Sequence, residues 1–185
     1  SFDPLQCVPL YVGPVTAKGS VAAESISGLL GSGFERLDVS SRLGYDAELL
    51  VDVPVGQGAV AKRVGLISAF SYGDIAQGRP VCSLMLTDVE GHEAGVDILS
   101  GVATSRADYD YRPQGALNYQ KIQIIESLDA GYPDSQNRPF KKHKYIGWID
   151  VPQHLNGVAK LRFRSVNPYL FDIHDVILTS TLPNL

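Results

Sequence analysis

Cysteine is scarce in this sequence: Cys7 and Cys82 are the only two in 185 residues, beside one methionine and one tryptophan. They form no CxxC pair and no metal-type spacing, which argues against zinc or dithiol redox chemistry. Joined as a disulfide they would close a long loop, worth about 4 kcal/mol in the chain-entropy model where geometry permits. Two separate buried thiols are the alternative. No apolar run approaches the roughly eighteen residues that span a bilayer as a helix. A basic segment followed by an apolar core is also missing, so no signal peptide is expected within the chain, although a small Ser1 is compatible with signal-peptidase cleavage. Nor is there a dominant basic face. The net charge is −4, with residues 1–100 carrying 6 basic and 12 acidic groups. That balance disfavours a general nucleic-acid binder. Catalytic signatures are lacking too: there is no GxSxG elbow, P-loop, GxGxxG or HExxH, and His92, His143, His154 and His174 share no metal-binding spacing.

What is present is a period of two. In YDAELLVDV, Tyr45, Ala47, Leu49, Val51 and Val53 fall on one face and Asp46, Glu48 and Asp52 on the other, a half-buried strand stopped by Pro54. Arg63–Phe70 is apolar on both faces and reads as a central strand. Pro80–Asp88 and Ala94–Leu99 read as a hairpin around VEGHE. Tyr119–Glu126, His143–Val151, Val158–Val166 and Leu170–Thr179 read as further strands. The last carries a bulge near His174 and Asp175, because its apolar phase shifts there. His154–Gly157 is a turn with an Asn-Gly signal. Residues 100–118 and 127–142 are long loops. Helical periodicity is almost confined to Glu24–Leu30. About nine strands and no linker predict one all-β domain, a two-sheet antiparallel sandwich, with residues 1–20 as an extended Pro-rich arm.

Two stretches carry a resemblance: GLISAFSYGDIAQGRPVCSLMLTDVEGHEAGVDILSG (65–101) and HKYIGWIDVPQHLNGVAKLRFRSVNPYLFDIHDVILTS (143–180). Together they resemble the jelly-roll accessory domain of large bacterial membrane proteins of the glycosyltransferase type. The strand order is also similar to that of carbohydrate-binding modules of the galactose-binding-like class. The resemblance covers about two-fifths of the chain. It implies a jelly-roll and a periplasmic or extracellular location facing glycans, and it transfers no catalytic residue.

Several residue groups are candidates for binding. Sugar rings stack their C–H faces on exposed aromatics, so Tyr109, Tyr111, Arg112, Asn118 and Tyr119, with Tyr132 from the next loop and Tyr72, are expected to make a glycan platform; the alternative is that these tyrosines anchor long loops. Structural calcium is common in jelly-roll modules, and Glu24, Asp172 and Asp175 are its expected oxygen ligands, with ordinary surface carboxylates as the alternative. Arg138, Lys141, Lys142, Lys144, Lys160, Arg162 and Arg164 form one patch for an anionic partner if their strands pair through the turn at 152–157. The alternative is the solvated polar face that any such sheet carries. Trp148, inside a strand, is expected in the core. The leading expectation is a non-catalytic exported module that binds carbohydrate. The second is a structural subunit docking on a larger protein assembly, membrane-bound assemblies included.

Overall fold

The computed structural model describes residues 15–16, 21–31, 33–111 and 119–180. Nine strands of five or more residues, a two-residue strand and one helix follow in order: β1 (Val15–Thr16), α1 (Ala23–Leu30), β2 (Phe34–Leu43), β3 (Glu48–Asp52), β4 (Arg63–Ser71), β5 (Pro80–Thr87), β6 (Glu93–Leu99), β7 (Ile124–Asp129), β8 (Lys141–Asp150), β9 (Lys160–Ser165) and β10 (Leu170–Thr179). They form a six-stranded sheet ordered β1-β2-β10-β4-β8-β7 and a four-stranded sheet ordered β3-β9-β5-β6. All pairings are antiparallel. Most connections cross from one sheet to the other, so the central strands β2-β10-β4-β8 face β3-β9-β5-β6 in jelly-roll order.

The alternation that builds this sandwich is clearest in β9. Leu161 and Phe163 point into the inter-sheet core while Lys160, Arg162 and Arg164 point out. β4 is buried on both faces because two cores flank it. Leu66 and Phe70 enter the space between the sheets. Ile67 enters a smaller outer core with Val21, Ile26, Ile146 and Ile177. The helix exists for that outer core. Eight residues are too few to hold a helix alone in water, but Ile26 is fully buried against the sheet. The helix ends at Gly31, whose positive φ of 71° reverses the chain. Trp148 packs on the same outer core, as expected of a core residue, its ring lying over Gly65 where a Cβ would collide.

The bulge expected near His174 is present. The register of β10 against both β2 and β4 shifts between Ile173 and Asp175. One extra residue resets the phase, so Phe171, Ile173, Val176 and Leu178 all reach the inner core. Asp172 and Asp175 are left on the outer face. The β5–β6 hairpin also forms as expected, and its turn is organised by Asp88. The solvent-inaccessible carboxylate of Asp88 accepts the N–H groups of Glu90, His92 and Asn156 and faces the His92 ring at 3.1 Å. These donors, Asn156 foremost, outweigh burial and hold its pKa down at about 2.

Three expectations need correction. Residues 34–43 form the ten-residue strand β2, which the alternation had not revealed. The strand expected at 119–126 begins at Ile124. Tyr45 stands in a turn and is exposed instead of starting the inward face of β3. Of the expected arm, residues 1–14 and 17–20 lie outside the described residues, and Val15 and Thr16 pair with Arg42 and Ser41.

Candidate functional site

Residues 100–111 and 119–123, the described parts of the long connection between β6 and β7, cover one end of the sandwich, and a single arginine organises them. Arg106 donates through Nε and Nη2 to Asp108, at 2.6 and 3.0 Å, and through Nη1 to Asp74 at 2.8 Å. Its own carbonyl accepts the Tyr145 hydroxyl at 2.7 Å. Tyr119 is buried, donates its hydroxyl to Asp74 and tilts against Phe70 with ring centroids 5.7 Å apart. Tyr109 meets Tyr119 edge-on and donates to its carbonyl at 2.8 Å. Burial and the neighbouring Asp74 carboxylate push the Tyr119 hydroxyl well above the ordinary tyrosine range. Tyr109 and Tyr119 therefore support the loop and do not present free faces to a sugar, which corrects that part of the expected platform. Arg112 and Asn118 lie outside the described residues.

Tyr111 and Tyr132 behave differently. Both stand edge-on to Phe140, each with its centroid 5.3 Å away. The Tyr111 hydroxyl is 2.6 Å from Ser135 Oγ. Tyr132 keeps 46% of its surface exposed, and Lys142 Nζ sits 5.0 Å from its ring centroid. A cleft of about 410 Å³ opens here, lined by Asp129, Gly131, Tyr132, Pro133, Asn137, Pro139 and Phe140. The loop holds this shape through Asp134, whose carboxylate accepts the N–H groups of Gln136 and Arg138 at 2.9 and 3.0 Å. Asn137 takes the positive φ of 59° that this turn requires. The two prolines and Phe140 give the cleft an apolar floor, and Asp129 and Asn137 give it hydrogen-bonding groups.

A second cluster sits on the same flank. His143, buried on β8, places Nδ1 2.7 Å from Ser127 Oγ and Nε2 2.5 Å from Asp110 Oδ2. The other Asp110 oxygen takes Lys121 Nζ at 3.1 Å. Burial raises the Asp110 pKa, but the donors His143 and Lys121 outweigh it and keep the carboxyl below its ordinary value. In the neutral tautomer with its proton on Nε2, toward Asp110, the ring turns an Nδ1 lone pair to the Ser127 hydroxyl. Serine, histidine and carboxylate come together from positions 16 and 33 residues apart. No short-range motif marks them, and Ser127 meets His143 only through the cross-strand pairing of β7 with β8.

The remaining expected groups fall elsewhere. Asp172 is engaged bidentately by Arg42, and Asp175, wholly buried, by Arg36 at 2.7 Å and by the Val21 N–H. Glu24 lies on the exposed first turn of α1. Among the described residues no group of three His, Cys, Asp or Glu is placed to hold a metal ion, so the expected calcium ligands are not assembled. The expected single basic patch is divided. β8 and β9 belong to different sheets, so Lys141, Lys142 and Lys144 stand on one sheet and Lys160, Arg162 and Arg164 on the other, with Arg138 in the loop before β8. The connection at 152–157 crosses between sheets and makes no hairpin. Several of these cations already have partners: Lys144 pairs with Glu126, Lys141 with Asp129 and Arg164 with Asp46. Cys82 is a buried thiol whose pKa burial pushes up to about 12. Its expected partner Cys7 lies outside the described residues. No helix among the described residues is long and apolar enough to cross a membrane. No protein-family model, curated protein or solved structure matches the chain.

Proposed function

We propose that this chain is an exported carbohydrate-binding module whose ligand stacks on Tyr132. One observation carries the reading: a half-exposed tyrosine ring, braced edge-on by Phe140, borders a proline-floored cleft that also presents Asp129 and Asn137. A braced ring loses little freedom on binding, and its face suits the C–H face of a sugar while the carboxylate and amide suit hydroxyls. Affinity electrophoresis of the folded protein through gels containing different polysaccharides tests it. Retardation by at least one polysaccharide is expected, weakened about tenfold by Tyr132→Ala and unchanged by Tyr72→Ala, an exposed tyrosine that does not line the cleft. Migration unaffected by every polysaccharide overturns the reading.

A structural subunit is the second reading, and it has its own support. At the end of the sandwich away from the Arg106 loop, the β3–β4 connection exposes Val55 and Val60, and the β5–β6 turn exposes Val89. A groove of about 730 Å³ lined by Ala59, Val60, Val151, Pro152 and Leu155 lies between the β3–β4 and β8–β9 connections. Stoichiometric co-purification with other polypeptides, without glycan retention, favours this reading over the first.

A further inference from the structure

We propose that Ser127, His143 and Asp110 form a nucleophilic relay that hydrolyses a small acyl ester carried by the ligand of the neighbouring cleft. The relay stands on its own geometry, and only the identity of the ester's alcohol rests on the carbohydrate reading.

Three observations support it. The hydroxyl of Ser127 lies within hydrogen-bond reach of His143 Nδ1 while the Asp110 carboxylate engages Nε2, the arrangement that activates a serine. The carboxylate is oriented in turn, because Lys121 takes its second oxygen. The relay also adjoins the cleft. Ser127 and Asp129 are two residues apart on β7 and so share a face, and Asp129 lines the cleft. Tyr111, next in the chain to Asp110, packs on Phe140 of the cleft floor.

The backbone supplies a place for the developing oxyanion. The His143 N–H donates to the Ala107 carbonyl at 2.9 Å, so it points away from β7. Ser127 and His143 are therefore a non-hydrogen-bonded pair, the kind whose side chains lie closest, and the Ser127 N–H faces the side of β7 on which no strand pairs among the described residues. Ser127 itself is partly exposed.

In the first step Ser127 Oγ bonds to the acyl carbon and its proton passes to His143 Nδ1. The carbonyl electron pair moves onto oxygen, beside the Ser127 N–H. Collapse breaks the ester C–O bond, and the departing alcohol takes the proton from Nδ1. Water then repeats the sequence: its oxygen bonds to the acyl carbon, Nδ1 accepts its proton and returns it to Ser127 Oγ, and the carboxylic acid leaves.

The full chain is treated with a biotinylated fluorophosphonate and mapped by peptide mass spectrometry, and its hydrolysis of p-nitrophenyl acetate and of acetylated xylan is followed. Labelling confined to Ser127 is expected, with turnover of both esters. Ser127→Ala abolishes labelling and turnover but keeps its circular dichroism and any polysaccharide retention. His143→Gln lowers the rate by about 10²–10⁴-fold, the usual contribution of a general base. Because His143 is buried, Asp110→Asn provides a second variant, whose loss of rate must accompany an unchanged melting profile. An unlabelled Ser127, or turnover that survives Ser127→Ala, overturns the relay. Labelling and turnover without polysaccharide retention keep the relay and remove only the carbohydrate reading.

Discussion

The outer core under α1 offers the sharpest test of the packing, through Ile26→Ala. Ile26 is fully buried among Val21, Ile67, Ile146 and Ile177, with Leu30, Phe34, Ile125 and Trp148 around them. The substitution removes three carbons, roughly 2.4 kcal/mol at about 0.8 kcal/mol for each buried carbon. A cavity term is added because the sheet beneath cannot collapse onto the gap, while the better helix propensity of alanine returns roughly 0.4 kcal/mol. The expected net loss is about 3 kcal/mol, or roughly 10 °C in Tm for a domain of this size. Urea unfolding monitored by circular dichroism measures it, with the slope unchanged and the midpoint lowered. Leu29→Ala, on the exposed side of the same helix, is expected to lose less than about 1 kcal/mol. Equal effects from the two substitutions would refute the docking of this helix on the six-stranded sheet.

Three further outcomes are expected. Gly147→Ala places a Cβ on the backbone of Ala103, which cannot yield, and should cost at least about 3 kcal/mol in urea unfolding; Gly95→Ala, whose Cβ meets only the flexible end of Met85, should stay within about 1 kcal/mol. Asp88 is held at about 2 in the folded state against an ordinary 3.8, so its contribution is complete above about pH 4 and is lost as the pH falls from there through about 2. The difference in urea midpoint between the wild type and Asp88→Asn should shrink across that window, and a constant difference would contradict the assignment. The Cys82 thiol, pushed up to about 12, should resist Ellman's reagent at mildly alkaline pH until urea unfolds the protein, as read by mass mapping of its peptide.

Alternation along the chain made most of this fold legible, because each half-buried strand repeats every second residue. It failed at β2, where Ser40 adopts a positive φ of 40° opposite the β10 bulge and most positions are only partly buried, so inward and outward faces blur. It misled at Asn156–Gly157. The dipeptide does make a turn, but Gly157 is required because a Cβ would strike the backbone at Gly58 and Ala59, in a connection that changes sheets. That crossing separated the two basic clusters. The candidate site was legible only in part. Tyr111 and Tyr132 could be named from their loops, but Phe140, which braces them both, precedes a strand in sequence and gave no sign of that role. Tyr109 and Tyr119 have the same loop composition and a different fate, fixed by Asp74 and by a carbonyl that no local pattern identifies. Ser127, His143 and Asp110 meet only through strand pairing and loop closure.

Saturation-transfer difference NMR on the polysaccharide fragment that the protein retains addresses the Tyr132 cleft most directly. Stacking on Tyr132 predicts strong transfer to the C–H protons of one sugar face, weak transfer to the opposite face, and loss of both with Tyr132→Ala while the fold persists. Even transfer to all protons, or a pattern unchanged in Tyr132→Ala, would contradict the assignment.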